Sequence, residues 1–306
     1  MIIKNIRRQN VLFFIGPALA VYVLFIIYPF VSSIRYSFYN WDGFGPLTQF
    51  VGWKNFSFVL LSHSFSPFLW RAIGHNLYFF VISMVLTLVF GLGVAYFLVN
   101  INERASRWFQ TIYFIPLVIP PVVLAYLWSI YLEPNYGVIS TLLDKLHLNA
   151  LNVPFLGSHS LALPTIAVIT AWAGMGFPIM IFLASLINVP KDLLEAARID
   201  GASSFRSFFS IILPIIKPTI LTITTLNFIG SFGTFDLIYI MEGTQAGPGY
   251  ATDVLGTLFY RTAFGGFGTT AQGLGLATAL AVVGFGIVMI ASVVFVYLQK
   301  QATIEW

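Results

Sequence analysis

The sequence contains no cysteine and very few charged residues. The absence of cysteine excludes disulfides, thiolate metal sites and cysteine nucleophiles. Only 8% of the 306 residues are charged, against roughly 25% in soluble domains, whereas 58% are hydrophobic. The mean hydropathy is +0.88. These values predict an integral membrane protein with room for about six spans of about 20 residues each.

Long apolar runs predict an all-α fold with six transmembrane helices in a single transmembrane domain, residues 1–306. The first run is too long for a signal-peptide core, so an uncleaved first span is expected. Pro116, Pro120 and Pro121 remove backbone donors from the third span and should bend or break it. A polar segment, residues 188–212, must lie outside the bilayer. The predicted spans are about 11–33, 75–99, 108–131, 161–187, 213–240 and 271–298.

Motifs for catalysis and for nucleotide binding are missing. No stretch matches the phosphate-binding pattern G-x-x-x-x-G-K-S/T, so the chain is not expected to bind ATP itself. The four histidines, at positions 63, 75, 147 and 159, lie in outer segments or at span ends and form no convincing metal pair. The net charge of +4 comes from scattered basic residues and does not indicate a nucleic-acid partner. We expect no catalytic residue, no metal site and no cofactor bound by this chain.

The centres of the six predicted spans contain no Asp, Glu, Lys, Arg or His. Proton-coupled transporters commonly keep ionisable groups in the membrane core, so this absence weakens the case for a proton-coupled secondary transporter. Sodium can be bound by carbonyl groups alone, and a stand-alone secondary transporter or channel therefore stays an alternative. A pore driven by a separate ATPase needs no such groups, and a neutral cargo suits an uncharged path.

The polar segment 188–212 is predicted to form two short helices joined at a glycine. Leu193 to Arg198 are mostly good helix formers, and Gly201 stands where a helix usually ends because glycine accepts the left-handed conformation. Ser203 or Ser204 can then cap a second helix. A rigid projection of this kind can enter a groove on a partner protein. An ordinary loop on the membrane surface fits the same residues equally well.

The same segment resembles a known family signature. Its pattern is E-A-A, three residues, G, nine residues and I-x-L-P, which resembles the cytoplasmic loop of the membrane subunits of binding-protein-dependent ABC importers. The positions that match are Glu195, Ala196, Ala197, Gly201, Ile211, Leu213 and Pro214. In that family the loop is the coupling helix that docks onto the ATPase subunit. The resemblance therefore implies ATPase contacts at Glu195, Ala196, Ala197, Asp200, Gly201, Ala202 and Phe205.

Weaker similarities point to the carbohydrate branch of this family. Tyr28-Pro29, Trp41-Asp-Gly43 and Phe50-Val-Gly52 are similar to the start of the first permease of maltose and glycerol-3-phosphate uptake systems, and residues 247–277 resemble its last outer loop. The resemblance implies a second permease, two ATPase subunits that bind ATP and Mg, and an extracytoplasmic solute-binding protein as partners. The implied cargo is an oligosaccharide or related polyol, with glycerol-3-phosphate or another small solute as the alternative.

Polar residues recur on one face of the predicted fifth span. Thr224, Asn227 and Ser231 are spaced by three and four residues, which places them on one side of a helix. Phe228 and Phe232 lie nearby and are predicted to stack on a sugar ring. The alternative is that the polar groups bind neighbouring helices or their own backbone.

The fourth span carries a second group of predicted pathway residues. They align with the tract that faces the pathway in maltose-type permeases, which is an implication of the resemblance. Small residues stand at several positions where bulky or amide residues are expected, so the cargo size and the permease that holds the cargo stay open. The residues are Thr170, Trp172, Gly174 and Phe177.

The distribution of basic residues predicts the orientation in the membrane. If both termini are cytoplasmic, ten Lys and Arg residues lie on the inner side and five on the longer outer segments. The positive-inside rule then puts the segment 188–212 in the cytoplasm, as the resemblance also requires. A multi-pass protein of the cell membrane with both termini in the cytoplasm is expected.

Overall fold

A computed structural model describes residues 8–265 and 272–302, which form helices and a single antiparallel bridge between Tyr39 and Phe50. The α-helices are α1 (Arg8–Tyr22), α2 (Tyr28–Tyr36), α3 (Lys54–Leu61), α4 (Ser66–Leu86), α5 (Gly93–Asn100), α6 (Glu103–Val118), α7 (Pro121–Tyr131), α8 (Val138–Lys145), α9 (Ala162–Gly174), α10 (Gly176–Ile187), α11 (Lys191–Ile199), α12 (Ser204–Ser207), α13 (Leu213–Ile215), α14 (Lys217–Phe232), α15 (Asp236–Glu242), α16 (Leu255–Phe264) and α17 (Leu274–Ala302). The π-helical turns are Val23–Ile27, Thr87–Leu92 and Phe208–Ile212, and the 3₁₀ turns are Asn149–Leu151 and Pro248–Tyr250.

Within the described residues, four helices are long and apolar enough to cross a membrane without a sharp bend. Two further pairs of helices, each bent by more than 40°, bring the number to six when each pair counts as one span. The prediction of an all-helical chain with six spans is confirmed when each bent pair is counted as one span. The four helices are Phe14–Tyr36, Ser66–Asn100, Lys217–Glu242 and Leu274–Ala302, and the pairs are α6 with α7 and α9 with α10.

The third span breaks where the prolines predict it. Helices α6 and α7 meet at an angle of 94°. The break spans Ile119 and Pro120, and Pro121 is the first residue of α7, where a missing N–H costs no intrahelical bond. The Ile119 N–H donates to the Pro116 carbonyl at 3.2 Å and closes the last turn of α6.

The fourth span also bends, by 51°, which its sequence did not predict. Gly176 begins α10 at this bend and packs against the backbone of α6. A Cβ atom at Gly176 would lie 2.6 Å from the Tyr113 carbonyl oxygen and 3.1 Å from the Phe114 Cα. The missing side chain therefore lets α10 approach α6 closely, as small residues do between membrane helices.

The second span begins at Ser66, nine residues before its predicted start at about 75. The sequence placed Arg71 in the outer segment and His75 at the start of the span, because both residues lower the local hydropathy. In the structure both lie inside α4, where residues of the segment before α16 contact their polar groups. Charged and polar residues thus occupy the first turns of this membrane helix without ending it.

The described residues form two compact units. The first comprises residues up to 67 together with 259–283. Here the Asn55 amide donates to the Ser37 and Tyr39 carbonyls, both at 2.9 Å, and the Gly275 N–H donates to the Trp41 carbonyl at 2.8 Å. These bonds order the tryptophan-rich segment that follows α2.

The second unit comprises residues 68–258 and those from 284 onwards. Two apolar cores lie among its described residues. One contains Leu124 of α7, Ile166 of α9 and Ile238 of α15. The other contains residues of α5, α10 and α14, with Phe182 and Ile223 almost fully buried. Helices α9, α10 and α14, which carry the predicted pathway residues, are therefore fixed by packing within this unit.

Within the described residues, the segment that follows the fifth span is partly helical and buried. It contains α16, and Thr252 and Asp253 before that helix are 0% exposed. Residues 266–271, which include the end of this segment and the predicted start of the sixth span, lie outside the described residues. Asp253 can be buried because it is paired with groups on α4 and needs no contact with water.

Candidate coupling loop and substrate pathway

The segment between the fourth and fifth spans contains the predicted glycine turn. Helix α11 ends at Ile199, and Gly201 has a φ of +77°. The Ala202 N–H donates to the Ala197 carbonyl at 2.9 Å, and the Gly201 N–H donates to the Arg198 carbonyl at 3.1 Å. This pair of bonds is the Schellman arrangement, in which a left-handed residue ends a helix and satisfies its last carbonyls. The predicted end of the first helix at Gly201 is confirmed.

A second short helix follows the glycine turn, as predicted. The Ser203 hydroxyl accepts a hydrogen bond from the Arg206 N–H at 3.3 Å, so Ser203, and not Ser204, is the N-cap of α12. Helix α12 continues without interruption through the π-helical turn Phe208–Ile212. The two helices and their joint are therefore set by local backbone and capping interactions.

The predicted coupling residues differ in their exposure. Glu195, Ala196, Asp200, Gly201 and Phe205 are exposed, and Ala202 is half-buried. Ala197 is only 8% exposed. Its carbonyl accepts the hydrogen bond from the Ala202 N–H that holds the glycine turn. The segment thus presents Glu195 and its exposed neighbours on a rigid surface.

Ile199 belongs to this surface and was not predicted from the sequence. Its side chain is 87% exposed, and that of Phe205 is 75% exposed. Single exposed apolar residues are common on proteins. Here, however, one lies on each side of the same glycine turn, beside the exposed carboxylate of Glu195. The sequence signal that could have indicated this exposed residue is an apolar side chain two positions before the glycine, within a polar segment.

Aromatic residues join the second helix of the loop to the body of the unit. The rings of Tyr96 on α5 and Phe208 lie 5.0 Å apart in an edge-to-face arrangement, and Phe208 and Phe209 lie 5.1 Å apart. These residues and Phe205 line a groove of about 370 Å³. The loop is therefore packed against α5 on one side and open on the other.

The polar residues of the fifth span lie on one face of α14, as predicted. Thr224 donates to the Ile220 carbonyl of its own helix at 2.8 Å. The Asn227 amide donates to the Thr87 hydroxyl at 3.4 Å, and the Ser231 hydroxyl donates to the Asn227 side-chain oxygen at 3.4 Å. Thr224 and Asn227 are half-buried, whereas Ser231 is only 3% exposed. The bonds of Asn227 are long and therefore weak.

The two phenylalanines predicted to stack on a sugar are core side chains in this structure. Phe228 is 5% exposed and Phe232 is 7% exposed. Their ring centroids lie 4.5 Å apart, and Phe228 also contacts Phe80 and Phe295. The helical period placed the rings beside the polar stripe, but neighbouring aromatic residues cover them. The expectation of an open stacking wall on α14 is corrected accordingly.

The residues predicted on the fourth span are more accessible. Trp172 is 45% exposed and Phe177 is 47% exposed. Gly174 lies between them with open space where a Cβ would be, whereas the Thr170 hydroxyl donates to the Ile166 carbonyl of its own helix. Trp172 packs edge-to-face on Trp128 at 5.7 Å, and both line an apolar groove of about 670 Å³. The open aromatic surface near the predicted pathway is therefore on α9 and α10.

A buried charged cluster at the start of the second span was also missed. Arg71 on α4 lies 3.6 Å from the Asp253 carboxylate, whose side chain is 0% exposed. The Arg71 guanidinium also lies over the rings of Phe68 and Tyr250, at 5.1 and 4.9 Å from their centroids. His75 Nδ1 is 2.8 Å from the Asp253 carbonyl. The sequence gives no local signal for these contacts, because their partners are about 180 residues apart.

Comparison with known proteins identifies the family. Residues 87–299 match the family described as "Binding-protein-dependent transport system inner membrane component". The chain belongs to this family. Membership favours a transport subunit over a stand-alone secondary transporter or channel.

Named relatives of this inner membrane component match over most of its length. YurN of Bacillus subtilis (strain 168), a probable ABC transporter permease, is 33% identical, covering 88% of this chain and 89% of YurN. NgcF of Streptomyces coelicolor, a permease of a diacetylchitobiose uptake system, is 31% identical, covering 92% of this chain and 80% of NgcF. UgpA of Escherichia coli (strain UTI89), a permease for sn-glycerol-3-phosphate, is 29% identical, covering 94% of this chain and 93% of UgpA.

A solved structure shares the fold of this inner membrane component. It is the crystal structure of a bacterial ABC transporter involved in the import of the acidic polysaccharide alginate. One of its chains superposes with a TM-score of 0.77 and 22% sequence identity, covering 98% of this chain and 99% of that chain. This likeness shows that the chain has the fold of a chain of an ABC transporter.

Proposed function

We propose that the chain is one of two permease subunits of an ATP-driven importer and that it forms, with the second permease, the pathway for a carbohydrate. The observation that carries this proposal is the coupling loop. Glu195, Ile199 and Phe205 are exposed around a glycine turn that hydrogen bonds hold in one conformation. A rigid projection of this kind suits transmission of movement from another subunit.

Two ATPase subunits are the proposed partners of this loop. The chain has no phosphate-binding G-x-x-x-x-G-K-S/T pattern, so ATP and Mg are proposed to bind to the partners. The loop offers them a carboxylate and two large apolar side chains. A permease of this design performs no hydrolysis itself and changes conformation when the ATPase subunits do.

A neutral oligosaccharide or related polyol is the proposed cargo, delivered by an extracytoplasmic solute-binding protein. The exposed rings of Trp172 and Phe177 suit the apolar faces of a sugar, and the Asn227 amide suits its hydroxyl groups. Among the relatives, NgcF belongs to a diacetylchitobiose system. UgpA makes glycerol-3-phosphate the second candidate. A phosphate favours Arg or Lys beside its path, and α9, α10 and α14 carry no such residue except Lys217 at the start of α14.

Growth of a deletion strain on a panel of sugars tests both the cargo class and the pathway. The intact gene should restore growth on one or a few oligosaccharides or polyols. Asn227→Leu should lower uptake of that cargo about tenfold or change the preferred sugar. Leucine has no hydrogen-bonding group, so a hydroxyl of the cargo would lose its partner. Uptake of the radiolabelled sugar measures the effect.

Ile229→Leu is the control for this test, because Ile229 lies two residues away on an exposed part of α14. It should transport normally. If Asn227→Leu transports normally but the pair of permeases separates in detergent, the polar stripe of α14 is a packing contact. The cargo site would then belong to α9 and α10 or to the partner permease. Growth restored only on glycerol-3-phosphate would contradict the carbohydrate proposal.

The orientation of the chain is proposed to place both termini and the coupling loop in the cytoplasm. Ten of fifteen basic residues lie on that side in this arrangement, although Lys4 and Arg7 are outside the described residues. Reporter fusions after Lys300 and at Ser204 should report cytoplasm, and one at Asn152 should report the outer side. An outer signal at Ser204 would overturn this topology.

The second permease is proposed to bind apolar surface that this chain leaves open. In the helix Phe14–Tyr36, none of the most apolar 18-residue window is buried within the described residues. Lipid can cover such a helix, and so can a similar permease packed beside it. Both kinds of contact fit a subunit that works in pairs in the cell membrane.

A further inference from the structure

Asn76 is a fully buried amide in the membrane helix α4. Its side chain is 0% exposed. The Asn76 Nδ2 donates to the Ser231 carbonyl at 2.7 Å, and the Asn76 Oδ1 accepts from the Leu255 N–H at 2.9 Å. Both distances are short, and the two partners fix which end of the amide points to which group. Asn76 therefore joins α4 to two segments that lie far away in the sequence.

Both partners of Asn76 are backbone groups at helix ends. Ser231 lies in the last turn of α14, and Leu255 is the first residue of α16. Carbonyls in the last turn and N–H groups in the first turn have no partner within their own helix. One side chain thus caps the end of α14 and the beginning of α16 at the same time.

The end of α14 is the interruption in the fifth span. Residues 233–235 separate α14 from α15, and Phe235 has a φ of −151°. Irregular backbone is tolerated at membrane depth only where protein or an aqueous cavity satisfies its polar groups. Asn76 satisfies the Ser231 carbonyl, two residues before this irregular backbone, so it holds the helix end at which the interruption begins.

The beginning of α16 is fixed to α4 by a second set of contacts. The Thr257 hydroxyl donates to the Asp253 Oδ1 at 2.9 Å and accepts from the Val254 N–H at 2.9 Å. The Asp253 Oδ2 lies 3.6 Å from Arg71, which is five residues before Asn76 on α4. The segment 253–257 is therefore attached to α4 at two successive turns.

We propose that Asn76 is a positioning residue that ties the interruption of the fifth span to the segment 253–257. Through this tie, a displacement of that segment is transmitted to α14, the helix that carries Asn227. The inference rests on the proposed function, since it assigns these contacts a role in opening and closing the pathway. The role is distinct from cargo binding, because the Asn76 side chain is 0% exposed and both ends of its amide are bonded to backbone groups.

Thiol labelling tests the tie without any cargo. The chain has no cysteine, so Thr234→Cys introduces a single thiol into the interruption. In the assembled transporter, Asn76→Asp should change the rate at which a water-soluble maleimide labels this thiol by about tenfold, because a carboxyl group lacks the two N–H donors of the amide and, when ionised, repels the Ser231 carbonyl while still accepting from Leu255. Asn76→Leu, which loses both bonds, should show at least the same change.

Asn100→Leu is the matched control, because the Asn100 amide donates to the Tyr96 carbonyl within its own helix at 2.7 Å. It should leave the labelling rate of the Thr234→Cys thiol unchanged. Equal labelling rates for the Asn76 variants and for the chain with Asn76 intact would overturn the proposal. Loss of both Asn76 variants from the membrane would also overturn it, since Asn76 would then serve folding alone.

ATP hydrolysis by the purified complex provides a second measurement. The solute-binding protein of the proposed importer should stimulate hydrolysis by the unaltered complex, and Asn76→Asp should reduce this stimulation about tenfold with little loss of the basal rate. A purely structural role would lower the amount of assembled complex and scale both rates equally. If the binding protein fails to stimulate even the unaltered complex, the proposed function fails, whereas the labelling result still decides whether Asn76 holds the interruption.

Discussion

The double variant Glu195→Ala, Gly201→Asp is expected to abolish uptake while the protein stays in the membrane. Gly201 has a φ of +77°, and open space surrounds the position of its missing Cβ. An aspartate there meets no neighbour but strains the left-handed backbone by roughly 1–2 kcal/mol, which favours a rearranged turn. Glu195 is exposed on α11, so its loss removes a charge from the proposed ATPase contact without opening a cavity.

The two changes should act together on the coupling surface. A rearranged turn moves Ile199 relative to Phe205. Loss of the Glu195 carboxylate removes a polar contact with the proposed ATPase partner. Uptake in cells and co-purification of the ATPase subunits measure the result. Unchanged uptake together with unchanged co-purification would contradict the assignment of this loop to ATPase coupling.

The same chain offers a matched control for this double variant. Gly243 has a φ of +70° with open space at its missing Cβ, and Asp192 is an exposed acid in the first turn of α11. Asp192→Ala, Gly243→Asp strains the backbone at least as much, because Gly243 has a ψ of −169°, a conformation that essentially only glycine adopts. It removes a similar charge but leaves the Glu195 to Gly201 surface intact. This variant should keep its ATPase subunits, which separates a specific contact from general damage.

The coupling loop could be predicted in detail because its geometry is local. Gly201 and Ser203 are six and eight residues from Glu195, and the bonds that shape the turn join residues no more than five positions apart. Capping preferences operate at this range. The family signature covers the same residues, so the signature and the capping preferences point to the same glycine turn between the two helices.

The limits of the second span could not be predicted, because distant residues determine them. Arg71 and His75 resemble the end of a membrane helix when read locally. Both are accommodated by Asp253, and Asn76 by Ser231 and Leu255, which lie about 155 to 180 residues away. Without those partners the polar groups would face lipid at a high cost. Only the tertiary structure shows that they are satisfied.

For the predicted pathway, too, the helical period could be read from the sequence but the packing of the side chains could not. A helical period correctly placed Thr224, Asn227 and Ser231 on one face of α14. It could not tell that Phe228 and Phe232 are covered by other rings, since any apolar side chain in a membrane helix can face lipid, a neighbouring helix or a cavity. Exposure, which decides among these, depends on helices elsewhere in the chain.

The bend of the fourth span supports the remaining prediction, which concerns stability. Gly176→Ala is expected to destabilise the protein by about 1–3 kcal/mol, as overpacking of a tightly packed site does. The added Cβ would lie 2.6 Å from the Tyr113 carbonyl oxygen, which belongs to the backbone of α6 and cannot rotate away. Helices α6 and α10 would have to separate along their contact.

Gly174→Ala is the matched control, two residues earlier and on the other side of the bend. Nothing lies within 4 Å of its added Cβ, and alanine is the better helix former by up to about 1 kcal/mol. Thermal unfolding of the purified protein in detergent should therefore show a lower midpoint for Gly176→Ala and an unchanged or slightly higher one for Gly174→Ala. Equal midpoints would mean that α6 and α10 are not in backbone contact at this bend. The 51° angle would then need another cause, because a glycine that is free of contacts does not by itself bend a helix.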